Sequence, residues 1–189
     1  MMDVIPTPAA GPDKKADTRR RILDAATTLF RAHGIDGVGV DAVMRAAGLT
    51  HGGFYGHFAS KETLAAEVCG ATLDRSAAKW EAIAAEQPAA EARRRIVTNY
   101  LRPESVTQGC LLPALGPDIA RRPEARAQAS AALTRMAAAL ETARPPEAPG
   151  GLAALATLVG ALVLARVAED PAQTEAILAA AREAVLPEG

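Results

Sequence analysis

Thr50, His51, Tyr55, His57 and Lys61 place hydroxyl, imidazole, phenol and ammonium groups within residues 50–61. Lys14, Lys15, Arg19, Arg20 and Arg45 add positive charge around them. The chemistry open to such groups is contact with an anion, above all phosphate. Lys61 falls in the first turn of an expected helix, where backbone amides and its ammonium can grip a phosphate together. The groups needed for covalent or metal chemistry are not assembled. The three histidines, at 33, 51 and 57, lack metal-ligand spacing with cysteine or carboxylate partners. There is no Walker loop and no nucleophile elbow. Gly52-Gly53 lies inside an expected helix rather than after a strand, so it is not a nucleotide loop. No catalytic residue, no metal and no cofactor is expected, and no enzyme.

The elements that must position these groups are two short helices joined by a tight turn. An apolar, Ala-rich segment from Val40 to Ala47 meets Gly48-Leu49-Thr50. Gly48 supplies the positive φ that ends the first of the two helices, Leu49 packs the turn onto the core, and Thr50 caps the second. The second, Thr50 to Phe58, offers Thr50, His51, Gly53 and Tyr55 outward and buries Phe54 and Phe58. This is a helix-turn-helix pattern, whose second helix enters the DNA major groove. Gly52 and Gly53 cost that helix roughly 1 kcal/mol each relative to Ala. Close backbone approach to DNA is the functional reason to keep them; tight packing against the first helix is the other.

Composition bounds the rest. The 189 residues are 49% hydrophobic but only 3% aromatic, so the core is built from Ala, Leu and Val, which favours packed helices. Net charge is -1, yet residues 14–61 hold eight basic and four acidic side chains, leaving the excess acid in the remainder. A basic module on an acidic body fits DNA binding at one end. Cys69 and Cys110 are too few for a disulfide framework and fit a reducing cytosol, so a cytoplasmic location is expected. Residues 1–13 read as a disordered tail.

Periodicity gives a first helix from Asp17 to His33, with Ile22, Ala26, Leu29 and Phe30 as its apolar stripe and Gly34 as its stop. Ser60 caps a long helix to Gln87, and another spans Ala89 to Leu101. Residues 103–122, broken by Pro103, Gly109, Pro113, Gly116 and Pro117, read as short helical turns. A helix from Pro123 to Ala143, a linker to Gly151, and helices Leu152–Glu169 and Pro171–Leu186 complete the chain. The helix after the linker has no charge from Gly151 to Ala165 and is too short for a membrane span of about 20 residues. A helix apolar on all sides must be covered on all sides, and a second copy of the chain is the expected cover.

The ungapped run Val43-Met44, Ala47-Gly48-Leu49-Thr50, Gly52-Gly53-Phe54-Tyr55-Gly56-His57-Phe58 and Lys61-Glu62-Thr63-Leu64 resembles the DNA-binding domain of the TetR family of bacterial transcriptional regulators. The likeness covers residues 17–68. One departure stands out: the family's usual capping Thr is here Gly39, which has no hydroxyl to offer an amide or a phosphate. The resemblance implies an all-α fold: an N-terminal three-helix helix-turn-helix domain (14–62) and a C-terminal helical ligand-binding and dimerisation domain (63–189), with about nine helices in all. It implies a phosphate contact for Tyr55; His57 is open between that role and a structural hydrogen bond. The expected DNA-binding set is Lys14, Lys15, Arg19, Arg45, Thr50, His51, Gly52, Gly53, Tyr55, His57 and Lys61, with the basic residues near position 14 acting as a flexible arm.

The resemblance also implies a homodimer through the last two helices, with Leu152, Leu155, Val159, Leu162, Val163 and Ile177 at the interface. It implies a small-molecule ligand in the body that releases a repressor from a palindromic double-stranded DNA operator. With only Trp80 and Tyr100 as body aromatics, an aliphatic pocket with few polar groups is expected, edged by Trp80, Asn99, Tyr100, Cys110 and Met136; ordinary core packing is the other reading of each. Gly109-Cys110 resembles a helix-opening pair in a branch of the family, where a helix N-terminus lowers a thiol pKa and would make Cys110 a sensor. Cys110 as a small buried core residue is the alternative, and Cys69 reads as inert core. The runner-up for the whole chain is a small-molecule-binding helical dimer without specific DNA binding.

Overall fold

The computed structural model describes residues 12–186. Nine α-helices and one 3₁₀ segment account for the regular structure among them. They are α1 (Pro12–His33), α2 (Val40–Ala46), the 3₁₀ segment (His51–Gly56), α3 (Lys61–Glu86), α4 (Ala89–Tyr100), α5 (Ser105–Gln108), α6 (Leu112–Ala120), α7 (Pro123–Thr142), α8 (Gly151–Val167) and α9 (Pro171–Val185). The expected tail lies outside the described residues except at its end: Pro12 already opens α1, a position where its missing N–H costs nothing. Lys14 and Lys15 are therefore exposed helical residues of α1 rather than part of a flexible arm.

The head is α1, α2 and the 3₁₀ segment, closed over Ile22, Ala26, Phe30, Val43, Met44, Phe54 and Phe58, all almost fully buried. α3 runs out of this head as one continuous helix. Ser60 caps it as expected, its Oγ accepting from the Thr63 amide at 3.1 Å. The body is built on α3 packed along α7, with α8 against α7 and α9. Small residues (Ala65, Ala66, Gly70 and Ala77 on α3; Ala125, Ala129, Ala132 and Ala139 on α7) are buried, which lets the two backbones approach closely.

One element differs from the sequence expectation. The stretch 103–122 contains a nine-residue helix, α6, despite Pro113, Gly116 and Pro117. Pro113 sits in the first turn, where no amide partner is needed. The bond lost at Pro117 is offset by burying Leu112, Leu115 and Ile119 on one face. Within one protomer α8 keeps an open side, where the sequence expects a second copy: Leu152, Leu164 and Val167 are 73%, 59% and 76% exposed.

The tie that joins the body is Arg93 on α4, fully buried and without a carboxylate partner among the described residues. Its Nε donates to Val185 O at 2.8 Å, Nη1 to Leu140 O at 3.0 Å and Nη2 to Pro149 O at 2.7 Å. Leu140 and Val185 lie in the last turns of α7 and α9, whose carbonyls have no partner inside their own helices. Burial pushes the Arg93 pKa down, partly offset by Glu141 nearby.

Candidate nucleic-acid interface and body cavity

The turn between α2 and the 3₁₀ segment is built as expected at Gly48, whose φ is +67°. The Gly48 amide donates to Arg45 O at 3.0 Å and the Leu49 amide to Met44 O at 2.9 Å, a Schellman pair. Arg21 completes it, its Nη2 donating to Ala47 O at 2.6 Å. Gly39 is the N-cap of α2 and makes no side-chain bond, as its lack of a hydroxyl requires.

The expected recognition helix is a six-residue 3₁₀ segment. Two adjacent glycines weaken an α-helix, and tighter 3₁₀ turns are favoured in short pieces. Phe54 is its buried anchor, stacked on Phe58 with ring centroids 5.7 Å apart. Tyr55 stands outward at 65% exposure, edge-on to Phe54. A Cβ added at Gly52 would meet nothing within 4 Å, and one at Gly53 only Met44 Cε at 3.6 Å. Packing within the protomer therefore does not explain either glycine.

Of the predicted contact residues, Lys14, Lys15, Arg45, Thr50, Gly52, Gly53 and Tyr55 lie exposed on the head. The Thr50 side chain makes no capping bond. His51 is exposed but pairs with the Asp41 carboxylate of α2. Lys61, half-buried, opens α3 as expected. Arg19 is the correction. Its guanidinium forms a two-pronged ion pair with Glu67 of α3 and lies 4.5 Å from the centre of the Phe58 ring. It fastens α1 to α3, so its guanidinium is engaged within the protein rather than standing free. His57 is half-buried, with its Nδ1 enclosed and without a partner. Desolvation, with Lys15 and Arg19 adding repulsion, holds its pKa below the ordinary value and favours the neutral imidazole.

In the body, a cavity of about 630 Å³ is lined by Trp80, Asn99, Tyr100 and Cys110, four of the five predicted residues. Met136 is not among them; it is fully buried core. The lining is not the aliphatic surface expected: Arg31, Arg75, Lys79, Arg102 and Glu104 reach it, with several hydroxyl and amide side chains. Arg75 and Lys79 stand one helical turn apart on α3, a spacing that in sequence looks like a solvated face.

Cys110 precedes α6, and the amides of Leu111 and Leu112 do pull its pKa down as a helix start should. Burial opposes them and wins, so the thiol is raised. Cys69 is pushed up to about 11. Neither is an activated thiol in this state. Both are therefore expected to resist a disulfide exchange reagent such as DTNB at pH 7.5 and to react rapidly once the chain is unfolded in guanidinium. Fast labelling of native Cys110 would restore the sensor reading.

The fold and these groups define a class: a helix-turn-helix head with exposed donors, carried on a helical body that encloses a cavity. The sequence profile described as "Bacterial regulatory proteins, tetR family" matches residues 22–68. The chain carries the TetR-family N-terminal domain. It is 36% identical over 80 residues to the transcriptional repressor KstR2 of Rhodococcus jostii (strain RHA1), covering 42% of this chain and 39% of that protein. It is 38% identical over 52 residues to the transcriptional regulator AcrR of Shigella flexneri, covering 28% of this chain and 24% of that protein. These matches thus span well under half of the relatives' own lengths. The whole fold resembles reduced NemR of E. coli (TM-score 0.73, 19% identity, 92% of this chain and 100% of that one). It also resembles a TetR-family regulator of Agrobacterium tumefaciens (TM-score 0.74, 21% identity, 92% and 100%). No helix among the described residues is long and apolar enough to cross a membrane.

Proposed function

We propose that the chain is a homodimeric transcriptional regulator, a repressor that leaves a palindromic DNA operator when a small molecule fills the body cavity. The observation that carries this reading is the exposed donor face of the head. Thr50, Tyr55 and Arg45 stand free, the backbone at Gly52 is open to close approach, and Lys61 sits at the start of α3. Phosphate contacts by Lys14, Lys15, Arg45, Tyr55 and Lys61 fix the register, and the 3₁₀ segment presents Thr50, His51 and Tyr55 to base edges.

Two heads on one operator need a dimer. The open apolar face of α8 (Leu152, Val163, Leu164 and Val167), together with the groove it forms with Ile177 and Ala180 of α9, supports one. Leu155 and Leu162 are fully buried inside the protomer, so they belong to its core rather than to the interface. Val159 is half-buried between the two surfaces.

The test is anisotropy of a labelled duplex from upstream of the chain's own gene, with excess nonspecific competitor, at two salt concentrations. Saturable binding that weakens with salt is expected. Lys61→Met is expected to reduce the salt slope by about one and to weaken all duplexes alike. Tyr55→Ala is expected to lower operator affinity roughly tenfold, the loss of about one charge-assisted hydrogen bond. Binding indifferent to both substitutions would move the interface elsewhere.

A further inference from the structure

We propose that the body cavity takes an amphipathic organic anion: one oxyanion head held by Arg31, Arg75 and Tyr100, and an apolar body packed against Trp80. This rests on the regulator reading only for its consequence, not for the binding itself. Four cationic side chains line the cavity against a single carboxylate, Glu104. Among the described residues neither Arg75 nor Lys79 makes an ion pair, so their charge is uncompensated by the protein. Arg102 spends its Nε on Asn99 O at 3.3 Å, at the exposed rim.

Two buried groups point to the same ligand. The Tyr100 hydroxyl is enclosed, on a residue only 8% exposed, and among the described residues only the Cys110 thiol, a weak acceptor, lies beside it. Arg31 Nε is enclosed and has no partner among the described residues. Leaving such donors unmade costs stability unless something arrives to accept from them. Arg31 also has the Arg166 cation for a neighbour, which raises the cost of its charge. An oxyanion accepts from both donors and neutralises the cluster at once. The rings beside these groups supply the apolar contact. Trp80 and Tyr100 meet edge to face with centroids 5.4 Å apart, beside Ile83 and Ile96. A cation would meet four like charges, and a neutral apolar molecule would offer neither buried donor a strong acceptor.

Trp80 is the chain's one tryptophan, so its fluorescence reports occupancy directly. The free protein, without DNA, is titrated with 4-phenylbutyrate, 4-phenylbutanol and 4-phenylbutylamine, which share one apolar body. The acid is expected to bind at least tenfold tighter than either partner, and 4-phenylbutyl phosphate tells a carboxylate site from a phosphate site. Arg75→Gln, an exposed change that spares the fold, and Arg31→Met are each expected to narrow the preference to under threefold; thermal unfolding confirms that each variant is folded. Equal affinities across the series, binding of the alcohol or amine alone, or no binding of any member at millimolar concentration overturns the proposal. Acid binding that leaves operator affinity unchanged upholds the ligand class and removes the regulatory reading instead.

Discussion

Arg93→Ala is expected to lower the free energy of unfolding by about 3–5 kcal/mol, a large share of the roughly 5–15 kcal/mol typical of a folded domain. The substitution removes a buried cation that donates to three carbonyls on three elements, each bond of the charge-assisted kind. It leaves the buried Leu140 O and Val185 O and the part-buried Pro149 O without these donors, and opens a cavity where the guanidinium lay. Arg93→Met separates these contributions. It refills most of the volume but cannot donate, so it is expected to recover less than half of the loss. Arg93→Lys keeps the charge, but one ammonium cannot reach three carbonyls set out for a planar fork, and it too is expected to remain well below the parent. Equilibrium denaturation in guanidinium, followed by helix circular dichroism, measures all three. A methionine variant as stable as the parent would mean that the carbonyls find other partners and that Arg93 only fills space.

What the sequence made legible and what it hid divide along the distance between partners. Gly34, Gly48 and Ser60 do their work within one helical turn, through φ angles of +73° and +67° and a cap bond three residues away, and each was readable where it stood. Arg93 sits in the run Arg93-Arg94-Arg95, which reads as a solvated patch; its acceptors lie 47, 56 and 92 residues on. Arg19 looked like a DNA ligand because Glu67, 48 residues away, gives no local sign. The inward and outward faces of α8 were hidden for a different reason. A helix of Leu, Val, Ala and Gly has no amphipathic contrast, so nothing local separated the buried Leu155 and Leu162 from the exposed Leu152 and Leu164. The polar character of the cavity was missed. Thr72, Arg75, Ser76 and Lys79 share one face of α3 with Trp80 close by, but only the fold turns that face toward Tyr100 and Arg31.

Asp118→Ala is expected to remove most of the influence of the cavity on DNA binding. α6 joins the two regions. Its start follows Gly109 and Cys110, which line the cavity, and its last turn grips the head. There Asp118 Oδ2 accepts from the Ile35 amide at 2.9 Å, across from Gly34, while Oδ1 accepts from Arg121 at 2.5 Å. Arg122 donates to Asp118 O at 2.9 Å and pairs with Asp36 in the same head loop. A displacement of α6 by a ligand is therefore passed to the turn that orients α2 and the 3₁₀ segment. Coupling between sites is commonly about 1–3 kcal/mol, a 5–150-fold change in affinity. With alanine the Ile35 amide loses its acceptor and a direct tie between α6 and the head is cut, so the ligand-induced change in operator affinity should fall to within about threefold of none, while ligand-free affinity moves less. Asp118→Asn keeps an acceptor oxygen for the amide and is expected to retain most of the response. Hydrogen exchange gives an independent reading: the Ile35 amide should exchange faster in the alanine variant and near the parent rate in the asparagine one. A full ligand response in Asp118→Ala, with Ile35 exchange accelerated, would show that the tie was broken and that the signal travels by another route, the leading alternative being Arg166 of α8, which donates to Val106 O of α5 and Arg31 O of α1.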